Sequence, residues 1–272
     1  MRAISLQRDV IVVTSAILRV NCVIVRGTAG EQEASADELE QAGETFVIDS
    51  PVLPDELEAL PALVEQARFP IPSGLLVTHG DWDHLLGRLA FPGVALGCSQ
   101  STAERLQQSP GAAQRDLRAF DENLLIERAR PLALGSVQAL PVPGRCGVGD
   151  RELELYATGG HTGDGMAVLI PWAHVLVAGD YLSTVELPTL DHGGDLDTYL
   201  ATLERLRALL EHVEHVVPGH GPVLDGDRAL NVLEEDTGYL RALGERGSRA
   251  GLPAGRRNEA QRRRHSENVA AL

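Results

Sequence analysis

Short apolar runs along this chain end repeatedly in a polar residue of a type that binds metal ions. The first run, 75–78, is followed by His79-Gly80-Asp81-Trp82-Asp83-His84. Three later apolar runs lead in the same way to His161, Asp180 and His220. A short apolar run bounded by glycine or polar residues is typical of a buried β-strand. The pattern therefore predicts four strand ends that deliver His and Asp side chains to one edge of a sheet.

The rest of the pattern predicts alternating strands and helices. Strands are predicted at 10–13, 16–25, 45–48, 75–78, across 137–170, at 174–179 and at 213–218, with a hairpin loop at 27–43. Apolar residues at helical spacing predict helices at 55–67, 197–211 and 227–243, another that begins near Asp83, and partly helical sequence at 102–130. Because no linker divides the chain, we predict a single layered α/β domain over 1–272 with a helical extension from about residue 227.

Composition excludes several function classes. The net charge of −15 argues against a nucleic-acid partner. All 24 basic residues are arginine, which excludes Schiff-base lysines, phosphate-binding Walker lysines and Ser-Lys dyads. The three cysteines form no C-x-x-C pair, and no apolar stretch is long enough for a membrane span. We therefore expect a cytoplasmic protein with a small-molecule substrate and no membrane partner, and the oligomeric state stays open.

The polar residues at the strand ends have the chemistry of a metal site. Zinc, iron and manganese bind imidazole nitrogen and carboxylate oxygen at about 2.0–2.2 Å. Two such ions about 3.5–4 Å apart can share a hydroxide and polarise a substrate oxygen. The candidate ligands are His79, Asp81, Asp83, His84, His161, Asp180 and His220. Seven ligands suit a pair of ions better than a single one.

These segments resemble the metallo-β-lactamase-fold hydrolase superfamily. Residues 78–84 are similar to its T-H-x-H-x-D-H motif, and 160–162, 179–180 and 218–221 follow as Gly-His-Thr, Gly-Asp and Pro-Gly-His segments. The resemblance covers about 10–224 in the family's order. It implies a four-layer αββα sandwich with two metal ions at the edge between two β-sheets.

The resemblance also implies which residue binds which ion. His79, Asp81 and His161 would hold the first ion, Asp83, His84 and His220 the second, and Asp180 would bridge them. Asp81 departs from the family's motif, which has histidine there. Zinc is the metal that we expect first. A carboxylate oxygen is a harder donor than an imidazole nitrogen, however, so Asp81 favours iron and manganese more than a histidine would. By the same reasoning, Asp81→His should favour zinc at the first site.

The expected activity is hydrolysis by metal-bound hydroxide of an ester, thioester, lactone or amide. Asp83 is the predicted catalytic residue, which binds metal and orients the nucleophile or moves a proton. Three alternatives stay open: an iron-dependent redox enzyme similar to persulfide dioxygenases, a phosphodiesterase, and an inactive relative. The substrate itself is not predicted, because fold resemblance does not transfer it.

A few polar residues outside the motif are also candidates. His192 lies on a loop after Asp180 and could reach a substrate. His212 and His215 have the spacing of a helical metal pair, but we expect them to be solvated. The arginine-rich segment 256–265 is expected to be a solvated helical face, with contact to an anion as the alternative.

Overall fold

Two mixed β-sheets pack face to face, and helices cover the outer face of each. The structure is a computed structural model that describes residues 1–28 and 43–272. Most of the predicted hairpin loop at 27–43 therefore lies outside the described residues. The predicted αββα class is confirmed, whereas the single domain over 1–272 stays a prediction.

The first sheet contains seven described strands that pair in chain order. They are β1 (Arg2–Gln7), β2 (Val10–Thr14), β3 (Asn21–Gly27), β4 (Glu44–Ile48), β5 (Gly74–Leu76), β6 (Ala95–Ser99) and β7 (Val137–Leu140). Strands β1 to β4 are antiparallel, and β4 to β7 are parallel. The carboxyl ends of β4 and β5 therefore meet at one edge, where the 77–84 segment begins.

The second sheet contains six described strands in the order β13-β12-β11-β10-β9-β8. They are β8 (Gly144–Val148), β9 (Arg151–Ala157), β10 (Met166–Ile170), β11 (Val175–Gly179), β12 (His215–Pro218) and β13 (Leu224–Asp225). Strands β11 and β12 are parallel neighbours. Their carboxyl ends therefore place Asp180 and His220 side by side.

Helices of the described chain fall into two groups along the sequence. They are α1 (Pro54–Gln66), α2 (Gly87–Ala90), α3 (Gln100–Gln108), α4 (Ala112–Leu124), α5 (Leu196–Leu210), α6 (Gly226–Arg246) and α7 (Glu259–Ala271). The first four belong with the first sheet, and the last three with the second. None of the helices in 1–28 and 43–272 has the length and apolar character that a membrane span requires.

Three apolar clusters account for the four layers. One packs the first sheet against its helices, with Leu60 and Leu75 among its members. A second packs the other sheet against its helices, with Leu203 as a member. The third lies between the sheets and includes Leu76 and Val168. Because neighbouring residues of a strand face opposite sides, strands buried on both faces have the continuous apolar runs seen in the sequence.

Two of the predicted elements differ from the structure. The predicted strand at 16–25 begins only at Asn21, because Leu18 and Arg19 have positive φ angles and form a turn. The helix predicted near Asp83 is a single 3₁₀ turn, Trp82–His84, followed by α2.

Candidate metal centre

The seven predicted ligands meet at the edge between the two sheets. The 77–84 segment supplies four of them after β5, and His161 comes from the loop between β9 and β10. Asp180 follows β11, and His220 follows β12. Their donor atoms form overlapping groups within 4.8 Å of one another. The structure therefore brings together the seven side chains that the sequence singled out. Their binding of metal stays a prediction.

His79, Asp81 and His161 form the first group. Asp81 Oδ2 lies 3.4 Å from His79 Nε2 and 3.6 Å from His161 Nε2. Donors about 2.1 Å from a tetrahedral ion lie roughly 3.4 Å from one another. The spacing of this group therefore fits one divalent ion.

Asp83, His84 and His220 form the second group, and Asp180 lies between the two. His220 Nε2 is 3.5 Å from Asp83 Oδ2. Asp180 Oδ1 is 3.2 Å from His84 Nε2, and its Oδ2 is 3.3 Å from His220 Nε2. The same Oδ2 is 3.4 Å from His161 Nε2 in the first group. This position is the one that the resemblance implied for a bridging ligand.

Buried atoms without hydrogen-bond partners give an independent test of the fit. The Nε2 atoms of His79, His84 and His161 are buried and have no hydrogen-bond partner among the described residues. The same is true of Asp180 Oδ1 and of His84 Nδ1, which lies on the far side of its ring. Buried polar atoms are almost always paired, because leaving them unpaired costs free energy. Unpaired nitrogens and a carboxylate oxygen that face one another fit a pair of divalent cations.

The opposite nitrogen of each histidine lies close to a neighbouring oxygen, within hydrogen-bond geometry at His79, His161 and His220 and at ion-pair distance at His84. The Nδ1 contacts are His79 to Thr78 Oγ1 at 3.1 Å, His84 to Asp49 Oδ2 at 3.0 Å, His161 to the Thr189 carbonyl at 3.0 Å and His220 to the Leu18 carbonyl at 2.9 Å. Such contacts set the ring orientation and the tautomer. In each case Nε2 is left to point into the centre.

Two glycines that precede metal-ligand candidates, Gly160 and Gly219, lie too close to neighbouring atoms for any side chain to fit. A Cβ atom on Gly219 would lie 1.9 Å from Asp180 Oδ1. Gly160 has a φ of +119°, and a Cβ there would lie 2.3 Å from the backbone of Tyr199. A side chain at either position would therefore displace a ligand or the loop that carries one.

The carboxylates produce a strong negative potential at the centre. Burial opposes protonation of His84 and His220, but Asp49 and Asp180 raise the pKa of His84 well above its usual range. Asp180 likewise raises the pKa of His220 to about 10. Burial also opposes charge on Asp180, yet His220 and His84 hold its pKa well below the usual range. A potential that favours imidazolium in this way also favours a divalent cation.

Arg105 and Asp164 are neighbours of the centre that sequence reasoning missed. Arg105 Nη2 lies 2.6 Å from Asp81 Oδ1, and its Nη1 lies 2.7 Å from Asp164 Oδ1. Arg105 is on α3, 24 residues from Asp81, and nothing in the local pattern links the two. The one sequence feature that could have indicated this contact is the position of Asp164, three residues after the candidate ligand His161.

Glu186 is a second acidic neighbour that the motifs do not contain. Its carboxylate, Asp180 and His220 have donor atoms within 4.8 Å of one another. Arg264 Nη2 lies 3.5 Å from Glu186 Oε1. Glu186 therefore adds negative charge beside the second group of ligands.

A cavity of about 420 Å³ opens above the ligands. Trp82, Leu106 and Phe120 contribute apolar surface to its lining. His192 and Arg264 contribute polar groups. His192 therefore lines the cavity, and its contact with a substrate stays a prediction. His212 is exposed and His215 is half-buried, and neither belongs to the metal-ligand groups of the described residues.

The arginine-rich C-terminal segment holds a loop of the centre rather than facing solvent throughout. Arg256 is 1% exposed, which contradicts the expected solvated face at that residue. Its Nη1 lies 2.5 Å from Asp236 Oδ1 and donates to the carbonyls of Ser183 and Glu186. Asn268 on α7 accepts from the Leu190 N–H in the same loop. Since this loop carries Thr189 and Glu186, the C-terminal segment helps to fix the centre.

Comparisons with known proteins agree with this geometry. The sequence profile of the metallo-beta-lactamase superfamily matches residues 39–220. None of the curated proteins matches the chain. The structure resembles TTHA1429, a metallo-beta-lactamase family protein from Thermus thermophilus, with 19% identity, a TM-score of 0.65 and coverage of 89% of this chain and 82% of that one.

Two further solved structures are similar. TTHA1623, solved in a di-iron-bound form, has 22% identity and a TM-score of 0.59 over 81% of this chain and 97% of its own. DIM-1 metallo-beta-lactamase has 16% identity and a TM-score of 0.58 over 86% and 95%. These low identities show the fold alone, whereas the profile spans two thirds of the chain and includes all seven candidate ligands. The chain therefore belongs to the metallo-β-lactamase superfamily, whose members are mostly metal-dependent hydrolases.

Proposed function

We propose that this protein is a hydrolase that depends on two divalent metal ions and cleaves an ester, thioester, lactone or amide of a small molecule. The observation that carries the proposal is the pair of ligand groups that share Asp180, with unpaired buried nitrogens aimed between them. When bound, the ions supply a hydroxide nucleophile at neutral pH and polarise the substrate carbonyl. The cavity above the ligands gives a small molecule access to that position.

The position of each candidate ligand determines which ion it would bind. His79, Asp81 and His161 would hold the first ion, Asp83, His84 and His220 would hold the second, and Asp180 would be shared by the two. The Asp83 side chain is 11% exposed, and its Oδ1 lies 4.0 Å from His84 Nε2, whereas its Oδ2 is 3.5 Å from His220 Nε2. On this geometry Oδ2 would bind the second ion, and Oδ1 would be free to accept a proton from the nucleophile. That assignment makes Asp83 the catalytic residue.

Zinc is the first expectation for the metal, with iron or manganese as alternatives. Asp81 supplies a hard oxygen donor where the family's motif has an imidazole, which favours iron or manganese more than a histidine would. The similar TTHA1623 structure is in a di-iron-bound form. An iron-dependent redox enzyme similar to persulfide dioxygenases is therefore the second candidate function.

A phosphodiesterase is less well supported. The net charge of −15 disfavours a polyanionic substrate. The cavity lining also contains Asp116, Glu186 and Asp191. These carboxylates would repel the phosphates that flank a scissile phosphodiester.

The test is an assay of the full chain loaded in turn with zinc, manganese and iron. The substrates are ester, thioester, lactone, amide and phosphodiester panels, together with oxygen uptake in the presence of glutathione persulfide. We expect turnover of at least one carboxylic acid derivative, with a loss of orders of magnitude in Asp83→Asn. Oxygen uptake without hydrolysis would support the redox function instead. A metal-loaded protein that is inactive on the whole panel would contradict the proposal.

A further inference from the structure

The two carboxylate oxygens of Asp81 face different partners. Oδ2 points toward the nitrogens of His79 and His161, at 3.4 and 3.6 Å. Oδ1 accepts a hydrogen bond from Arg105 Nη2 at 2.6 Å. One oxygen is therefore directed to the first metal position, and the other is already occupied by a guanidinium.

Asp164 holds Arg105 in this position. Arg105 Nη1 donates to Asp164 Oδ1 at 2.7 Å. Asp164 Oδ2 accepts from the Gly80 N–H at 2.9 Å and from Thr102 Oγ1 at 2.8 Å. Since Gly80 precedes Asp81, the same carboxylate positions both the backbone of the motif and the guanidinium. A planar guanidinium held at two nitrogens is a rigid donor, unlike a flexible ammonium group.

The charge count follows from this arrangement. An aspartate alone adds one negative charge compared with the neutral histidine at this position of the family's motif. Arg105 lies within hydrogen-bond distance of Asp81 and offsets its charge in part, because the guanidinium also pairs with Asp164 and the three charges sum to −1. Because Oδ1 is occupied by Arg105, the pair offers the ion one donor atom, as a histidine does.

We propose that Asp81 and Arg105 act together as the equivalent of a histidine ligand, with Arg105 as the positioning residue that keeps Oδ1 away from the first ion. The inference rests on the proposed function, because it requires that the first ion is bound by His79, Asp81 and His161. It adds a residue, Arg105, that the family's motif does not contain.

The arrangement changes what Asp81→His should do. With histidine at 81, Arg105 loses one of its two carboxylate partners, and its positive charge lies beside a divalent ion. The single substitution should therefore weaken the binding of the first ion. The tighter zinc binding expected from the sequence should appear only when Arg105 is also replaced by a neutral residue. Asp81→His combined with Arg105→Gln has the same net charge as the wild type and one imidazole donor.

The experiment measures metal binding by the full-length chain after chelation and reloading. Zinc affinity is measured by competition with a chromophoric chelator, and native mass spectrometry counts the ions. His161→Ala identifies the first-site ion, since it removes a ligand from that group alone. We expect the Asp81→His chain to bind the first zinc about tenfold more weakly than the Asp81→His/Arg105→Gln chain, a coupling of ordinary size for neighbouring residues.

A second measurement reports on the coordination of the first ion. Four-coordinate cobalt(II) absorbs more strongly in the visible range than five- or six-coordinate cobalt(II). Arg105→Gln frees Asp81 Oδ1, so the absorption per first-site cobalt should fall below that of the wild type. Arg118→Gln, an exposed arginine on α4 that is absent from the cavity lining, is the matched control and should leave the spectrum unchanged. Circular dichroism verifies that each variant is folded.

The outcomes separate the inference from the proposed function. Equal first-site zinc affinities in the single and double variants would overturn the role of Arg105, as would a cobalt spectrum unchanged by Arg105→Gln. A wild-type chain with no ion that depends on His161 would contradict the proposed two-metal function itself, and the inference with it.

Discussion

Each histidine of the centre has a protein oxygen close to the ring nitrogen that faces away from the centre. At His84 this oxygen belongs to a carboxylate, since Nδ1 lies at an ion-pair distance of 3.0 Å from Asp49 Oδ2 and the imidazole is fully buried. Asp49 is itself fixed, since it accepts hydrogen bonds from the N–H and hydroxyl of Thr78. Residues that never touch the ion therefore determine how well it is held.

Asp49→Asn should lower the affinity for the second ion by about 10–100-fold, the usual effect of changing a residue that orients a metal ligand. The amide keeps the shape of the carboxylate but loses the charge beside His84. The measurement is zinc affinity by chelator competition. Asp9→Asn is the matched control, because Asp9 is also a buried aspartate and pairs with Arg26. Asp9 lies before the first residue of β2, whereas the turn that contacts His220 follows the last residue of that strand. Equal losses in both variants would show that the effect is not specific to the centre.

His220→Ala should lower turnover by orders of magnitude and leave the fold intact, because it removes a ligand of the second ion. His215→Ala, on β12 and outside the ligand groups of the described residues, should have almost no effect. Turnover is measured on any substrate that the panel identifies, with circular dichroism as the check of folding. A folded, fully active His220→Ala chain would refute its assignment, and loss of activity in His215→Ala alone would mean that the wrong histidine was chosen.

At the scale of elements, strand ends and loops position the ligands, and the C-terminal segment supports one of those loops. Arg256 donates to carbonyls at both ends of the 183–186 turn and pairs with Asp236 on α6. Burial raises the pKa of Asp236 to about 7, although Arg256 acts to lower it. The pair is thus a buried contact on which the loop depends.

Arg256→Ala should destabilise the folded chain by about 3–5 kcal/mol, the cost of leaving one partner of a buried ion pair without the other. Arg257→Ala, at the neighbouring exposed position, should change stability by no more than about 0.5 kcal/mol. Urea unfolding of the two variants gives the comparison. Similar small effects in both would mean that Arg256 does not hold the loop.

The sequence predicted those elements whose residues carry their own local signal. The apolar runs before His79, Asp180 and His220 show the strand ends directly, and the helical spacing at 197–211 matches α5. The Asp81–Arg105 contact could not be predicted, because it joins a loop after β5 to a helix after β6. The burial of Arg256 was missed for a similar reason, since its partner Asp236 is on another helix.

At the scale of the whole molecule, the sandwich brings two sheets together so that their ligand-bearing loops share one edge. The first sheet supplies the 77–84 segment, and the second supplies His161, Asp180 and His220. Neither sheet alone provides a complete set for two ions. The two-metal centre is therefore a property of the packed molecule.

Counting the metal ions on the folded chain shows whether this two-metal centre exists. The chain is stripped with a chelator, reloaded with zinc, manganese or iron, and weighed by native mass spectrometry. We predict two ions per chain, because seven ligands exceed the needs of one tetrahedral ion. One ion should be lost in His161→Ala and the other in His220→Ala. A folded wild-type chain that binds no ion after reloading with any of the three metals would contradict the two-metal centre.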